Sequence, residues 1–200
     1  MRGRFGWFCA CVLLGPLTAT ANATESNWPV TEQVKTYPVR GSDALALYRS
    51  IDDNGPKTSL GTRAIALTEF DLRWRRDYQP DGSACVLASA RPFLTITTTL
   101  PKPAGRLTPD MAARWQPFIA GITAHEAVHG TMIRDLTAEI ISRTVGTRME
   151  DDAACKKIRP VILEKVKAAY AAHLASSRDF DRVEMGQGGN VEMLIRALVE

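Results

Sequence analysis

The sequence predicts an α+β fold, a small antiparallel sheet followed by a long site-bearing helix and further helices. Three observations carry this. Two extended runs, Arg63 to Tyr78 and Cys85 to Leu100, alternate apolar with polar residues or are dense in β-branched ones. The turn signal Pro80-Asp81-Gly82 separates them. From Thr108 onward the apolar residues recur at helical spacing instead, first through Trp115, Phe118, Ile119, Ile122, Val128 and Met132, then through Cys155, Ile158, Ile162, Val166 and Ala169.

Residues 24 to 36 are polar, include Trp28-Pro29, and read as a loose arm leading to a short strand from Thr36 to Arg40. Gly41 breaks that strand, and Ser42 is a good N-cap for a helix through Leu45, Leu47, Tyr48 and Ile51. Asp52-Asp53-Asn54-Gly55-Pro56 ends it in a turn. In the first extended run Ile65 and Leu67, and then Phe70, Leu72 and Trp74, take turns with polar residues, a strand pattern with one side buried. In the second, Pro92 suits a kink or an edge. With the short strand this makes three or four strands.

Pro101 to Arg106 is a linker, and Thr108-Pro109 reads as an N-cap followed by proline in the first helical position. The helix it starts should run to Val145, before Gly146, with a kink or a break at Pro117. Glu150-Asp151-Asp152 should open the next helix, acidic where the macrodipole favours acids, and that helix should end near Ala175. Asn190 then caps a short helix from Val191 to Leu198.

The long helix carries His125-Glu126-Ala127-Val128-His129, an H-E-x-x-H pattern. Residues four apart lie one turn above each other on a helix, so the two imidazoles meet on one face. Two imidazole nitrogens from one rigid helix are a common half of a zinc site. Glu126 is rotated about 100° from His125, where a carboxylate reaches a water on the metal without being a ligand. Zinc lowers the pKa of such a water to about 7, and the glutamate takes its proton. The chain has only 3 histidines, and two of them make this pair.

At 200 residues, 45% hydrophobic and 24% charged, the chain is of ordinary globular composition, with no internal repeat and no low-complexity tract. Its start reads as a secretory signal over residues 1–23, leaving 24–200 as a single domain. Arg2 and Arg4 are the positive end, and Phe5 to Leu17 is apolar but too short to span a bilayer. Ala21-Asn22-Ala23 is an A-x-A cleavage pattern, with Ala19-Thr20-Ala21 as a second one. Removing Arg2 and Arg4 from the 25 basic residues leaves 23 against 22 acidic, a net of +1. Nothing in that balance suggests nucleic acid or an anionic membrane surface, and no other segment is apolar enough for stable membrane insertion. A periplasmic or secreted location follows from the signal. Cleavage also removes Cys9 and Cys11. Cys85 and Cys155 remain, which in an exported protein reads as one disulfide; two independent buried thiols are the alternative.

Several fragments, in order, resemble a bacterial family of predicted secreted zinc-dependent proteases. They are Tyr37-Pro38-Val39-Arg40-Gly41, Asn54-Gly55-Pro56, Phe70-Asp71-Leu72-Arg73-Trp74, Cys85, Leu100-Pro101, Trp115, the His125–His129 motif and Cys155. The H-E-x-x-H element is the specific one. The resemblance implies a zincin-like active-site helix, with His125 and His129 as zinc ligands and Glu126 as general base. The tail departs from the family pattern: Arg178 to Gly189 has no histidine where the family carries a His-Gly combination.

A catalytic zinc normally has three protein ligands. Asp135 is six residues after His129, which on a continued helix points it about 240° away. Glu139 is about 15 Å further along the same axis. Glu164 and His173 lie on the next helix. Glu184 lies in the stretch aligned with the family's histidine, followed by Gly186, Gly188 and Gly189, whose lack of a side chain permits close approach. Glu184 is the expected third ligand, with His173 as the alternative. The expected activity is hydrolysis of a peptide or exported protein. A peptidoglycan amidase or endopeptidase would use the same chemistry, and a non-catalytic exported binding protein could use the same fold.

Overall fold

The structure, a computed structural model, describes residues 28–58 and 61–200. The expected signal segment lies outside the described residues.

The chain opens with strand β1 (Val30–Val39), followed by helix α1 (Ala44–Asn54). Asp43 caps α1, its carboxylate accepting from the Ala46 N–H at 2.9 Å, while the Ser42 hydroxyl, expected as the cap, donates to Asp43. Strands β2 (Leu67–Asp81) and β3 (Ala84–Pro103) form a long antiparallel hairpin. Its turn needs Gly82, at φ 62°, in the left-handed region that glycine enters without penalty. One bulge between Asp77 and Tyr78 shifts the register, so that Tyr78 faces Leu87.

The sheet order is β1-β3-β2, with the two-residue strand β4 (Arg148–Met149) pairing the start of β3. The α+β class holds, but the sheet is mixed rather than antiparallel, because β1 runs parallel to β3 from Val30↔Leu94 to Val39↔Pro103. The arm expected to be loose is therefore a ten-residue edge strand. Its side chains are mostly exposed, so it carries no apolar period. Main-chain hydrogen bonds to β3 hold it instead, and the excursion through α1 and β2 is long enough for a parallel return.

Helix α2 (Pro109–Thr144) is 36 residues long and capped by the Thr108 hydroxyl. Pro117 does not break it: Pro117 and Ala113, whose carbonyl loses its N–H partner, are both exposed, so water can serve that carbonyl. Glu150-Asp151-Asp152 does not start a helix. Those residues form turns with Asp151 and Cys155 at φ 51° and 53°, and helix α3 (Ile158–Met185) begins later. Asp152 bonds the N–H groups of Lys156 and Ile158 at 2.7 and 2.9 Å, serving donors that a helix start leaves unpaired. α3 also runs ten residues past the expected end at Ala175. Helix α4 (Asn190–Val199) closes the described chain.

One sheet face stays open, with Glu69, Asp71, Arg73, Arg75 and Asp77 exposed along β2. The other packs on the helices. Leu94, Ile96, Phe70 and Leu72 meet Ile133 of α2, and Phe70, Leu72 and Trp74 also pack against Leu136, Ile140 and Ala169. A larger cluster at one end joins Leu47, Ile51, Trp115, Phe118, Ile122, Val191 and Leu198. Each such buried side chain contributes about 1.5–3 kcal/mol. At the other end Cys85 and Cys155 form a disulfide among Leu87, Ile158 and Ile162, as the cysteine count predicts. Such a bridge suits an exported protein. No helix among the described residues is long and apolar enough to cross a membrane.

α2 and α3 pair antiparallel. Lys165 reaches the Arg143 carbonyl near one end, and Asp181 meets His129 near the other. That pairing, with β2 passing beside α2, assembles the site.

Candidate metal centre

His125 and His129 project from one face of α2, as their spacing requires, with Nε2 atoms 3.2 Å apart. His125 is 4% exposed. Residue Asp181 of α3 approaches from the opposite wall. Its Oδ1 lies 2.9 Å from His129 Nε2 and 3.3 Å from His125 Nε2. The three donor atoms lie within 4.8 Å of one another, and among the described residues no other group of three metal-binding side chains does this.

Residues at positions 173, 177, 181 and 184 share one face of α3. Each of the last three touches the histidine pair. The Ser177 hydroxyl lies 3.2 Å from His129 Nδ1. Glu184 Oε2 lies 3.6 Å from His125 Nδ1, on the ring nitrogen that Asp181 does not face. Glu184, expected as the third ligand, is thus beside the second nitrogen of His125, and Asp181 stands nearest both Nε2 atoms. Phe180 stacks on His125 at 4.7 Å between centroids and meets His129 edge-on, which fixes both rings. His173 stays out of the cluster, edge-on to Phe70 at 5.9 Å, with burial and the nearby His129 lowering its pKa.

Glu126 is buried at the edge of this group. Thr68, at the start of β2, donates to its Oε2 at 2.7 Å. The Thr68 hydroxyl has a single hydrogen, so the Thr98 hydroxyl at 3.1 Å serves as donor to Thr68. Burial raises the pKa of Glu126, and the bond from Thr68 partly offsets this. For Asp181 burial works toward a higher pKa, but its contacts with His125 and His129 win and hold it well below the usual carboxylate range. Burial works to lower the pKa of His125, yet Asp181, Glu126 and Glu184 together raise it.

Two imidazole nitrogens and a carboxylate oxygen converging on one point need positive charge between them, either protons on the rings or a cation. The separations of 3.2, 3.3 and 2.9 Å approach the donor–donor edges of about 3.4 Å in a tetrahedral site with bonds near 2.1 Å. Nδ1 of His125 is buried without a hydrogen-bond partner at full strength, its nearest carboxylate being Glu184. A ring whose Nε2 binds a metal donates from Nδ1 to such a carboxylate. The residues present therefore fit a divalent metal, which His125, His129 and Asp181 would hold.

The three donors and Glu126 line one cleft of about 290 Å³, together with Thr58, Arg63, Leu67, Ser177 and Met185. Residues 34–189 match the family described as "Bacterial protein of unknown function (DUF922)". The chain belongs to this DUF922 family. The matched span runs from within β1 to the end of the α3–α4 turn, so it contains every residue of the cluster and both bridged cysteines. Comparison with the curated proteins and with the solved structures found no match.

Asp181, Ser177, Phe180 and Thr68 are the site residues that sequence reasoning missed. For the α3 group a signal exists. Ser177, Asp181 and Glu184 follow His173 at spacings of four, four and three, one helical stripe. The polar run Ser176-Ser177-Arg178-Asp179 hides it by resembling a helix end.

Proposed function

We propose that this DUF922 chain is an exported zinc-dependent peptidase, periplasmic or secreted, in which His125, His129 and Asp181 hold the metal and Glu126 is the general base. One observation carries the reading. Glu126 sits on the helix that bears both histidines and opens into the same cleft as the three donors, with one carboxylate oxygen tied to Thr68.

Bound there, zinc supplies Lewis acidity and a water whose pKa falls to about 7. The protein's own part is proton handling and alignment. Thr68 holds Glu126 Oε2, leaving Oε1 for the water proton, which Glu126 then delivers to the leaving amide nitrogen. A carboxylate whose pKa is raised by burial is a stronger base than an exposed one, which suits that task near neutral pH. Ser177 and Glu184 orient the imidazoles through their second nitrogens, and Phe180 keeps the rings from rotating. The Cys85–Cys155 bridge and the apolar signal-like start support export.

The test is a peptide-library digest by the mature chain, with metal content measured in parallel. Chelator should stop cleavage and zinc should restore it. Glu126→Gln should keep the metal and lose about 10²–10⁴-fold in rate. Stoichiometric zinc without cleavage of any peptide or cell-wall amide would remove the enzymatic reading and leave a metal-binding exported protein.

A further inference from the structure

The geometry points to a carboxylate-binding subsite at Arg63, so that the preferred ligand of this cleft is a peptide carrying a carboxylate beside the bond presented to Glu126. This names the substrate class of the proposed peptidase and rests on that reading for its catalytic meaning.

Arg63 lines the cleft that holds His125, Glu126, His129 and Asp181, and it is the only lysine or arginine among the described lining residues. Its Nη1 donates to the Gly55 carbonyl at 2.7 Å. A guanidinium has five N–H donors, and no carboxylate among the described residues lies within ion-pair distance of this one. The two cleft carboxylates are otherwise engaged, Glu126 by Thr68 and Asp181 by the histidines. The wall of the cleft thus carries one exposed cation that no carboxylate of the described residues pairs with.

The segment that carries Arg63 is built to hold it still. Lys57 and Arg63 form an antiparallel bridge. The Thr58 N–H bonds the Thr62 carbonyl at 2.8 Å, and the Ala64 N–H bonds the Pro56 carbonyl at 3.0 Å. Gly55 lets the two arms meet: a Cβ there would lie 2.2 Å from the Ala64 carbonyl oxygen. An arginine tethered at its root and at one nitrogen has already lost much of the side-chain freedom that binding would otherwise cost. Its planar fork then accepts a carboxylate through two parallel N–H···O bonds. The carboxylate can belong to a peptide's C-terminus or to an acidic side chain, and the chemistry at Arg63 is the same for both.

The experiment uses the zinc-loaded mature chain with Glu126→Gln, which cannot turn over, and labelled peptides followed by fluorescence anisotropy. One peptide pair differs only in a free versus an amidated C-terminus, and a second differs only in an internal Asp versus Asn. The carboxylate member of at least one pair should bind about tenfold tighter or more. Adding Arg63→Met should abolish that preference and leave the neutral peptide's affinity unchanged, and Arg63→Lys should restore part of it. Equal affinity within both pairs, no binding of any peptide, or an equal loss for charged and neutral peptides in Arg63→Met would each overturn the subsite. The last result would mean that Arg63 serves only to pin Gly55. Carboxylate-dependent binding with no cleavage by the wild-type chain would remove the peptidase and keep the subsite. Cleavage without preference would do the reverse.

Discussion

Glu184 Oε2 lies 3.6 Å from His125 Nδ1, while Asp181 Oδ1 faces Nε2 of the same ring. The two carboxylates, three residues apart on α3, therefore address opposite nitrogens of one imidazole. This division assigns them different work. A group at Nε2, where the second histidine also converges, can share a metal with both rings; a group at Nδ1 can only orient the ring and raise its basicity.

The two variants Asp181→Ala and Glu184→Ala should accordingly separate. Asp181→Ala removes one of the three proposed ligands and should leave the purified protein nearly metal-free. Glu184→Ala should retain metal with an affinity lowered about 10–100-fold, the range for losing a carboxylate behind a ligating histidine. Competition with a chromophoric zinc chelator measures both. Near-complete metal loss in Glu184→Ala with full retention in Asp181→Ala would reverse the assignment.

Much of this centre was legible in the sequence. The pairing of His125, Glu126 and His129 depends only on spacing within one helix, and the bridge between Cys85 and Cys155 on counting the cysteines left once the expected signal segment is set aside. Asp181 depends on two things a local pattern does not hold: that α3 continues past its polar Ser176–Asp179 run, and that it folds back antiparallel on α2. The same limit applies to β1. Thr31, Glu32 and Gln33 are exposed, and what makes them a strand is the main chain of β3 some sixty residues later. Thr68 is likewise an ordinary strand threonine until the hairpin brings it beside Glu126.

Thr68→Val should lower kcat by about tenfold and leave zinc per chain unchanged. Removing the hydroxyl strands one oxygen of a buried carboxylate, a loss on the order of 1–3 kcal/mol. The sign of the pH effect follows from the same bond. Burial raises the pKa of Glu126 and Thr68 opposes that rise, so its loss moves the acid limb of kcat/KM to higher pH. An unchanged kcat with an unchanged acid limb would show that Thr68 does not align the base.

Replacing both Cys85 and Cys155 by alanine should destabilise the fold by about 4 kcal/mol in the chain-entropy account, because the bridge spans 70 positions. For a chain of this size that corresponds to a fall in Tm on the order of 10 °C. The bridge is buried, so the cavity left by the double substitution adds to the cost. Thermal unfolding of the two forms under identical buffer conditions measures it. Matching Tm values would mean that the apolar contacts of Leu87, Ile158 and Ile162 hold this end without the bridge.

Asp152 gives the fold a dependence on acid that can be tested apart from the metal centre. Burial works toward a higher pKa, but the N–H groups of Lys157, Ile158 and Lys156 outweigh it and hold the carboxylate below its usual value. A group whose pKa is depressed by folding contributes stability that is complete above the unfolded-state value, near 3.9 for aspartate, and is lost as pH falls through the lower folded value. Asp152→Asn resembles the protonated side chain at every pH. The variant should therefore unfold at lower denaturant than wild type between pH 5 and about 8, with a constant gap. The gap should narrow below about pH 4, as the wild-type carboxylate takes up its proton. Urea titrations of both proteins, zinc-free so that metal release does not intrude, read this directly. A gap equally wide at pH 2 and pH 7 would show that the shape of Asp152, and not its charge, holds the turn in front of α3.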